Sequence, residues 1–147
     1  GETAHDERDP RAGQRVGIGI DVGEHRRACG GAVGDPGLTA VQVVVGVEQA
    51  GAANQRFYEG EDGDSTLQDA LWQTAANLDY ADWFPRDRRP AAEGVQTAFA
   101  AGGMATAALS GVDYPAANTM QDTLDKLSAD TLQRVGMTLE TWLETQP

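Results

Sequence analysis

Hydrophobic and polar positions change period along this chain, and the first pattern is that of strands. Val16, Ile18 and Ile20 alternate with Gly17, Gly19 and Asp21, a period of two with one bulky face. Glycine at every second position marks a place where another backbone or a ligand comes close. Asp35-Pro36-Gly37 is a turn tripeptide, because proline presets the first turn dihedral and glycine accepts the positive φ that follows. Ala28 to Val33 and Thr39 to Val47 are therefore expected to be hairpin neighbours. In the second of these, Val41, Val43, Val45 and Val47 share one face, and Gln42, Val44 and Gly46 share the other. The pattern predicts an N-terminal three-stranded antiparallel meander.

Glu48 to Gly63 breaks the alternation and reads as a glycine-rich acidic loop that ends in Glu59, Glu61, Asp62 and Asp64. Clustered carboxylates can wrap calcium, but Asp64 stands where a calcium loop needs its glycine and Gln73 where it needs a closing acid, so a solvated charge run is expected. The helical period then takes over. Ser65-Thr66-Leu67-Gln68 forms a capping box, and Leu67, Leu71, Ala75 and Leu78 recur on one face with Trp72 beside them, which predicts a helix to about Asn77. Tyr80, Trp83 and Phe84 make a short aromatic segment expected in the core.

Arg86-Asp87-Arg88-Arg89-Pro90 follows, with Pro90 suited to the first position of a helix that carries Val95 and Phe99 and stops at Gly102-Gly103. Periodicity leaves Met104 to Leu109 open between a helical turn and a short buried strand. Gly111 to Ala117 reads as a loop. Met120, Leu124, Leu127, Thr131, Val135, Leu139 and Trp142 then keep one face to the end, with Ser128-Ala129-Asp130 able to restart the helix. One bent helix or two in series both fit, and the meander is expected to be covered by these helices as an α/β domain.

Composition narrows the function classes. The first 14 residues are charged and nearly free of apolar side chains, so they read as a flexible acidic arm, and 15–147 as a single domain. The single cysteine, Cys29, rules out an intramolecular disulfide and a cysteine cage for zinc, and reads as a small buried hydrophobe; two histidines rule out a histidine-rich metal site. His5 is expected to be solvated and His25 to be an exposed hairpin residue. No apolar run is long enough for a membrane span, and no signal sequence opens the chain, so a cytoplasmic protein is expected. The net charge of −12 repels phosphate backbones and disfavours RNA or DNA as partners. A homo-oligomer or a protein partner stays open.

Two pieces of chemistry remain. Asp21 ends the first strand, and a cluster with Asp87, Glu93 and Asp130 would hold Mg²⁺ or Mn²⁺ for phosphodiester hydrolysis, with Asp21 as the central ligand. Arg86, Arg88 and Arg89 beside a helix start would contact a phosphate or other anion. A different class, a non-catalytic binding or assembly subunit using the aromatic segment or a helical face, competes with the enzyme reading.

The run GIDVGEHRRACGGAVGDPGLTA resembles the opening of the YqgF family of Holliday-junction-resolvase-like nucleases. That resemblance implies a ribonuclease H-like fold, with Asp21 and the triplet Asp87-Arg88-Arg89 in the places of family acids. Arg88 replaces the triplet glutamate and Asp130 matches the last-helix acid one position out of register, so it implies a degenerate site. GIGIDV with DALWQTAANLDYADWFPRD is similar to segments of the zinc-dependent methylerythritol cyclodiphosphate synthases, although the histidine of their Asp-x-His ligand sequence is absent here.

Overall fold

The computed structural model describes residues 15–20, 41–90 and 94–146. Both alternating segments form strands, β1 (Arg15–Ile20) and β2 (Val41–Glu48). They run parallel, with Ile20 opposite Val47, so the expected antiparallel meander is corrected. Alternation reports which face is bulky and is the same for either strand direction. A parallel neighbour needs a crossover instead of a hairpin. The expected strand at Ala28 to Val33 and the turn at Asp35-Pro36-Gly37 lie outside the described residues, as do Cys29, His5, His25 and the N-terminal arm. The ribonuclease H-like arrangement, which rested on that meander, is not supported.

The segment left open by periodicity is a strand. Ala105–Ser110 forms β5 and pairs parallel with β2, giving the sheet order β1-β2-β5. Its alanines suit a helix by propensity, but long-range pairing against β2 overrides that weak preference. Val44 and Val45 are both buried, as are Thr106 to Ser110. Burial on both faces is what a parallel sheet covered by helices requires.

The two faces are covered differently. On one, Val45, Ala107 and Leu109 pack with residues of two helices, α1 (Ser65–Asn77) and α3 (Ala129–Glu144), in a core that includes Phe57, Leu71, Trp72, Phe84, Val135 and Trp142. Burying each of the large aliphatic side chains contributes roughly 1.5–3 kcal/mol before entropy is counted. The aromatic expectation holds for Phe84, while Tyr80 and Trp83 are only half-buried against the core: Phe84 lies 5.2 Å from the Phe57 ring and meets Trp72 edge-on at 5.7 Å, and Trp72 Nε1 donates to the Pro85 carbonyl at 2.9 Å. On the other face lies the short helix α2 (Val95–Ala101).

Local starts and stops differ from the reading in instructive ways. Asp64, not Ser65, caps α1, accepting from the Leu67 amide at 2.8 Å. Gln68 does not reach back to the cap; it is fully buried and clamps Gly60, accepting from its amide at 2.6 Å and donating to its carbonyl at 3.1 Å. Gly60 belongs to β3 (Glu59–Gly60), which pairs parallel with β4 (Arg88–Arg89). Part of the expected acidic loop is thus buried structure, because Phe57 and Tyr58 draw it into the core. Residue 90 does not open α2, which starts at Val95 and stops where Gly103 takes φ +83°. Ser128 restarts the chain as the cap of α3, accepting from the Thr131 amide at 3.3 Å. Met120, Leu124 and Leu127 precede that start and are exposed, so the long apolar stripe is helical only from Ala129 onward.

Candidate functional site

An open parallel sheet offers its functional ground at the carboxyl ends of its strands. Here β2 ends in Glu48, opposite Ser110 at the end of β5, and the Gly111 amide donates to the Glu48 carbonyl at 3.2 Å. The period of two places Glu48 on the same face as Val44 and Gly46. Gly46 opens that face to α2: a Cβ there would stand 2.8 Å from Gln96 Oε1. Gln96 is only 5% exposed. Just before α2, a Cβ on Gly94 would fall on both Glu48 Oε1 and Gln96 Oε1. Two glycines therefore clear the space in which one carboxylate and one amide come together.

The loops that follow β2 and β5 form two adjoining clefts of about 390 and 380 Å³, which share Ala52, Ala53, Tyr114 and Pro115 as walls and are lined by neither Glu48 nor Gln96. Tyr58 lines the first, with the Arg89 guanidinium 3.6 Å above its ring. Its hydroxyl is held above the ordinary tyrosine pKa, first by the hydrogen bond with Asp113 and then by burial. Tyr114 donates to Asp122 at 2.7 Å, and that bond, ahead of desolvation and the charge of Asp122, pushes its pKa up to about 12. The hydrogen bond from Thr123 holds the Asp125 carboxyl below its usual value.

The residues expected to carry chemistry are distributed otherwise. Asp21 and Glu93 lie outside the described residues. Asp87 is exposed beside β4, where its carbonyl accepts from the Glu59 amide at 3.2 Å, and Asp130 is exposed in the first turn of α3. Among the described residues no three His, Cys, Asp or Glu side chains gather into a metal-holding group. The three arginines meet carboxylates. Arg86 bridges Glu59 at 3.2 Å and Asp69 at 2.6 Å, Arg88 reaches Glu59 at 3.5 Å, and Arg89 pairs with Asp113 at 3.0 Å.

Glu48 falls at the start of the expected acidic loop, and no local motif marks Gln96. The signal for both was Gly46, a glycine interrupting a run of valines, since such a residue marks close approach of another element.

No protein-family model matches this sequence, and no curated protein does. Solved structures do. Glutaminyl cyclase from an Acidobacteriales bacterium superposes with a TM-score of 0.69 at 22% identity, over 73% of this chain and 39% of that one. Porphyromonas gingivalis glutaminyl cyclase gives 0.68 at 20%, over 73% and 41%. A Zn-dependent exopeptidase from Parabacteroides distasonis gives 0.69 at 14%, over 72% and 40%. The chain thus spans about two fifths of the length of these proteins. At such identities the likeness shows the fold alone. It overturns the ribonuclease H-like and cyclodiphosphate synthase resemblances, and with them the phosphodiesterase reading. The metal named among these neighbours is zinc, not the expected Mg²⁺ or Mn²⁺. Among the described residues no helix is long and apolar enough to cross a membrane.

Proposed function

We propose that this chain binds the amino-terminal end of a peptide at the carboxyl ends of β2 and β5. The observation that carries the reading is the meeting of Glu48 and Gln96 over Gly94. A carboxylate in a half-buried site takes an ammonium group through charge-assisted hydrogen bonds. A side-chain amide beside it both donates and accepts, which suits the first peptide group. The names of the structural neighbours agree with such a ligand, since an aminopeptidase and an exopeptidase act at chain ends. The clefts flanked by Tyr58 and Tyr114 would then receive the side chains that follow.

Zinc is the metal named for one structural neighbour, and its fit here can be tested on the donor set. Protein zinc sites use cysteine, histidine and carboxylate ligands, and a catalytic site needs three. Glu48 qualifies and Gln96 does not, so the described residues at the strand ends do not fit the ion. The work assigned to them is therefore binding and orientation: Glu48 holds the ammonium, and Gln96 holds the peptide plane.

Calorimetric titration with a short peptide and with its N-acetylated twin tests this. The free amino end should bind and the acetylated one should not, and Glu48→Gln should abolish the difference. Equal binding of the two peptides to the wild type would sink the proposal.

A further inference from the structure

The first of the two clefts carries a cation on a fixed loop. Arg56 lines it, is exposed, and forms no ion pair among the described residues. Its backbone is held on both sides: the Ala53 amide donates to the Lys126 carbonyl at 3.1 Å, and the Phe57 amide donates to the Trp83 carbonyl at 2.9 Å. The guanidinium reaches the hydroxyl of Tyr58, which lines the cleft together with Trp83 and Tyr114. Two of these three rings are already engaged from outside. Arg89 stands 3.6 Å from the centre of the Tyr58 ring and Arg134 3.9 Å from that of Trp83, and neither guanidinium lines the cleft. A ring whose negative face already meets a cation has less to offer a second one. The acid among the lining residues is Asp113, which Arg89 holds at 3.0 Å; Asp122 takes the Tyr114 hydroxyl, and Asp125 lies with Lys126 on the second cleft. Against the net charge of −12, this cleft turns a guanidinium toward solvent beside aromatic walls. We infer that it binds a small carboxylate bearing one aromatic ring. Arg56 takes the carboxylate in its planar fork, and the aromatic walls meet the ring. A volume of about 390 Å³ is near the lower end for ligand sites, about 300–1,000 Å³, which suits a single ring. The inference stands apart from the reading of Glu48 and Gln96, neither of which lines this cleft.

Calorimetric titration of the full chain with phenylacetate, phenylacetamide and phenethylamine, which share a ring and differ in charge, tests this. Cyclohexylacetate keeps the charge without the aromatic face. Phenylacetate should bind about tenfold more tightly than the amide, as expected for a hydrogen bond to a charged group, and the amine more weakly still. Cyclohexylacetate should bind more weakly than phenylacetate. Arg56→Gln should bring phenylacetate down to the level of the amide and leave the amide where it is. The midpoint of thermal unfolding should not move, because Arg56 is exposed and outside any ion pair among the described residues. N-Acetylglycylphenylalanine carries the same ring and carboxylate at a chain end: tighter binding than phenylacetate would assign the cleft to peptide carboxyl ends, and equal or weaker binding to free acids. Absence of phenylacetate binding to the wild type at millimolar concentration would overturn the inference. So would equal affinities for acid and amide, an undiminished affinity for cyclohexylacetate, or an Arg56→Gln protein that binds phenylacetate as the wild type does. Failure of the free-amino peptide to bind, with phenylacetate still bound, would instead count against the proposed function and leave this assignment standing.

Discussion

Two glutamates lie in two stretches of parallel pairing, Glu48 at the end of β2 and Glu59 at the start of β3, and their surroundings give them different work. Glu59 in β3 is 5% exposed and is bracketed by Arg86 at 3.2 Å and Arg88 at 3.5 Å. Its carboxylate ties β3 to β4 and, through Arg86 and Asp69, to α1. Glu48 at the end of β2 faces a neutral amide across a space that glycine keeps clear. Guanidinium groups hold the first carboxylate as a brace, while a missing Cβ on Gly94 lets the second come up against an amide. Burial alone would have ranked the two in the opposite order of functional interest.

The largest expected effect lies on the brace. Glu59→Ala removes the shared partner of two arginines. Breaking a buried pair costs about 3–5 kcal/mol, but these guanidinium groups are about half exposed and water screens them, so about 2–3 kcal/mol is expected. Urea denaturation should show this loss, with affinity for a free-amino peptide unchanged. An unaltered midpoint would mean that the ion pairs decorate the surface and that the contrast with Glu48 is false.

Glu48→Gln should behave in reverse. Losing a hydrogen bond to a charged group costs about 1.5–3 kcal/mol, or roughly tenfold to a hundredfold in affinity, while the midpoint of unfolding should hardly move. If stability falls and affinity does not, Glu48 belongs with Glu59 as a structural residue.

How much of this contrast can be read in the sequence depends on the distance over which each feature is decided. The helix at Ser65, the restart at Ser128 and the strand character of Val41 to Glu48 follow from local pattern and caps, and the structure has all three. Strand direction does not. β2 is parallel to β1, and it pairs with β5, which lies beyond α1 and α2 in the chain. An alternating pattern carries no record of that choice. The position of Gln68 shows the same limit, since a glutamine at the fourth place of a capping box is locally a cap residue and becomes a clamp only because Gly60 folds back onto it. The candidate site is a meeting of β2 with α2, so neither Glu48 nor Gln96 carries a local motif. Gly46 alone pointed there.

A smaller effect should follow from filling the cleared space. Gly94 is extended, with φ −144° and ψ −174°, so alanine meets no backbone strain there, only the ends of the Glu48 and Gln96 side chains. Those ends can shift, which places the stability cost near the low end for overpacking, about 1 kcal/mol. Peptide affinity should fall further than stability does, because the displaced atoms are the ones assigned to the ligand. Equal losses would mean that Gly94 serves packing alone.

The smallest effect separates the two regions by pH. Near β4 the acids meet guanidinium groups, whereas on the cleft wall Asp122 takes the hydroxyl of Tyr114. That hydrogen bond belongs to the neutral phenol, whose folded pKa of about 12 stands above the ordinary tyrosine value of 10.0. Whatever stability it contributes is fully present below pH 10 and is lost as pH rises through about 12. Tyr114 is half-buried and solvent screens its ring hydroxyl, so the readout is its titration and not an energy. Ultraviolet difference titration should show a component near pH 12 that belongs to Tyr114, beside the raised Tyr58. Tyr114→Phe should remove that component, and Asp122→Asn should bring it back toward pH 10, the value for an unperturbed phenol. Glu59→Ala should leave it untouched, because the brace and the cleft wall hold their carboxylates by different chemistry.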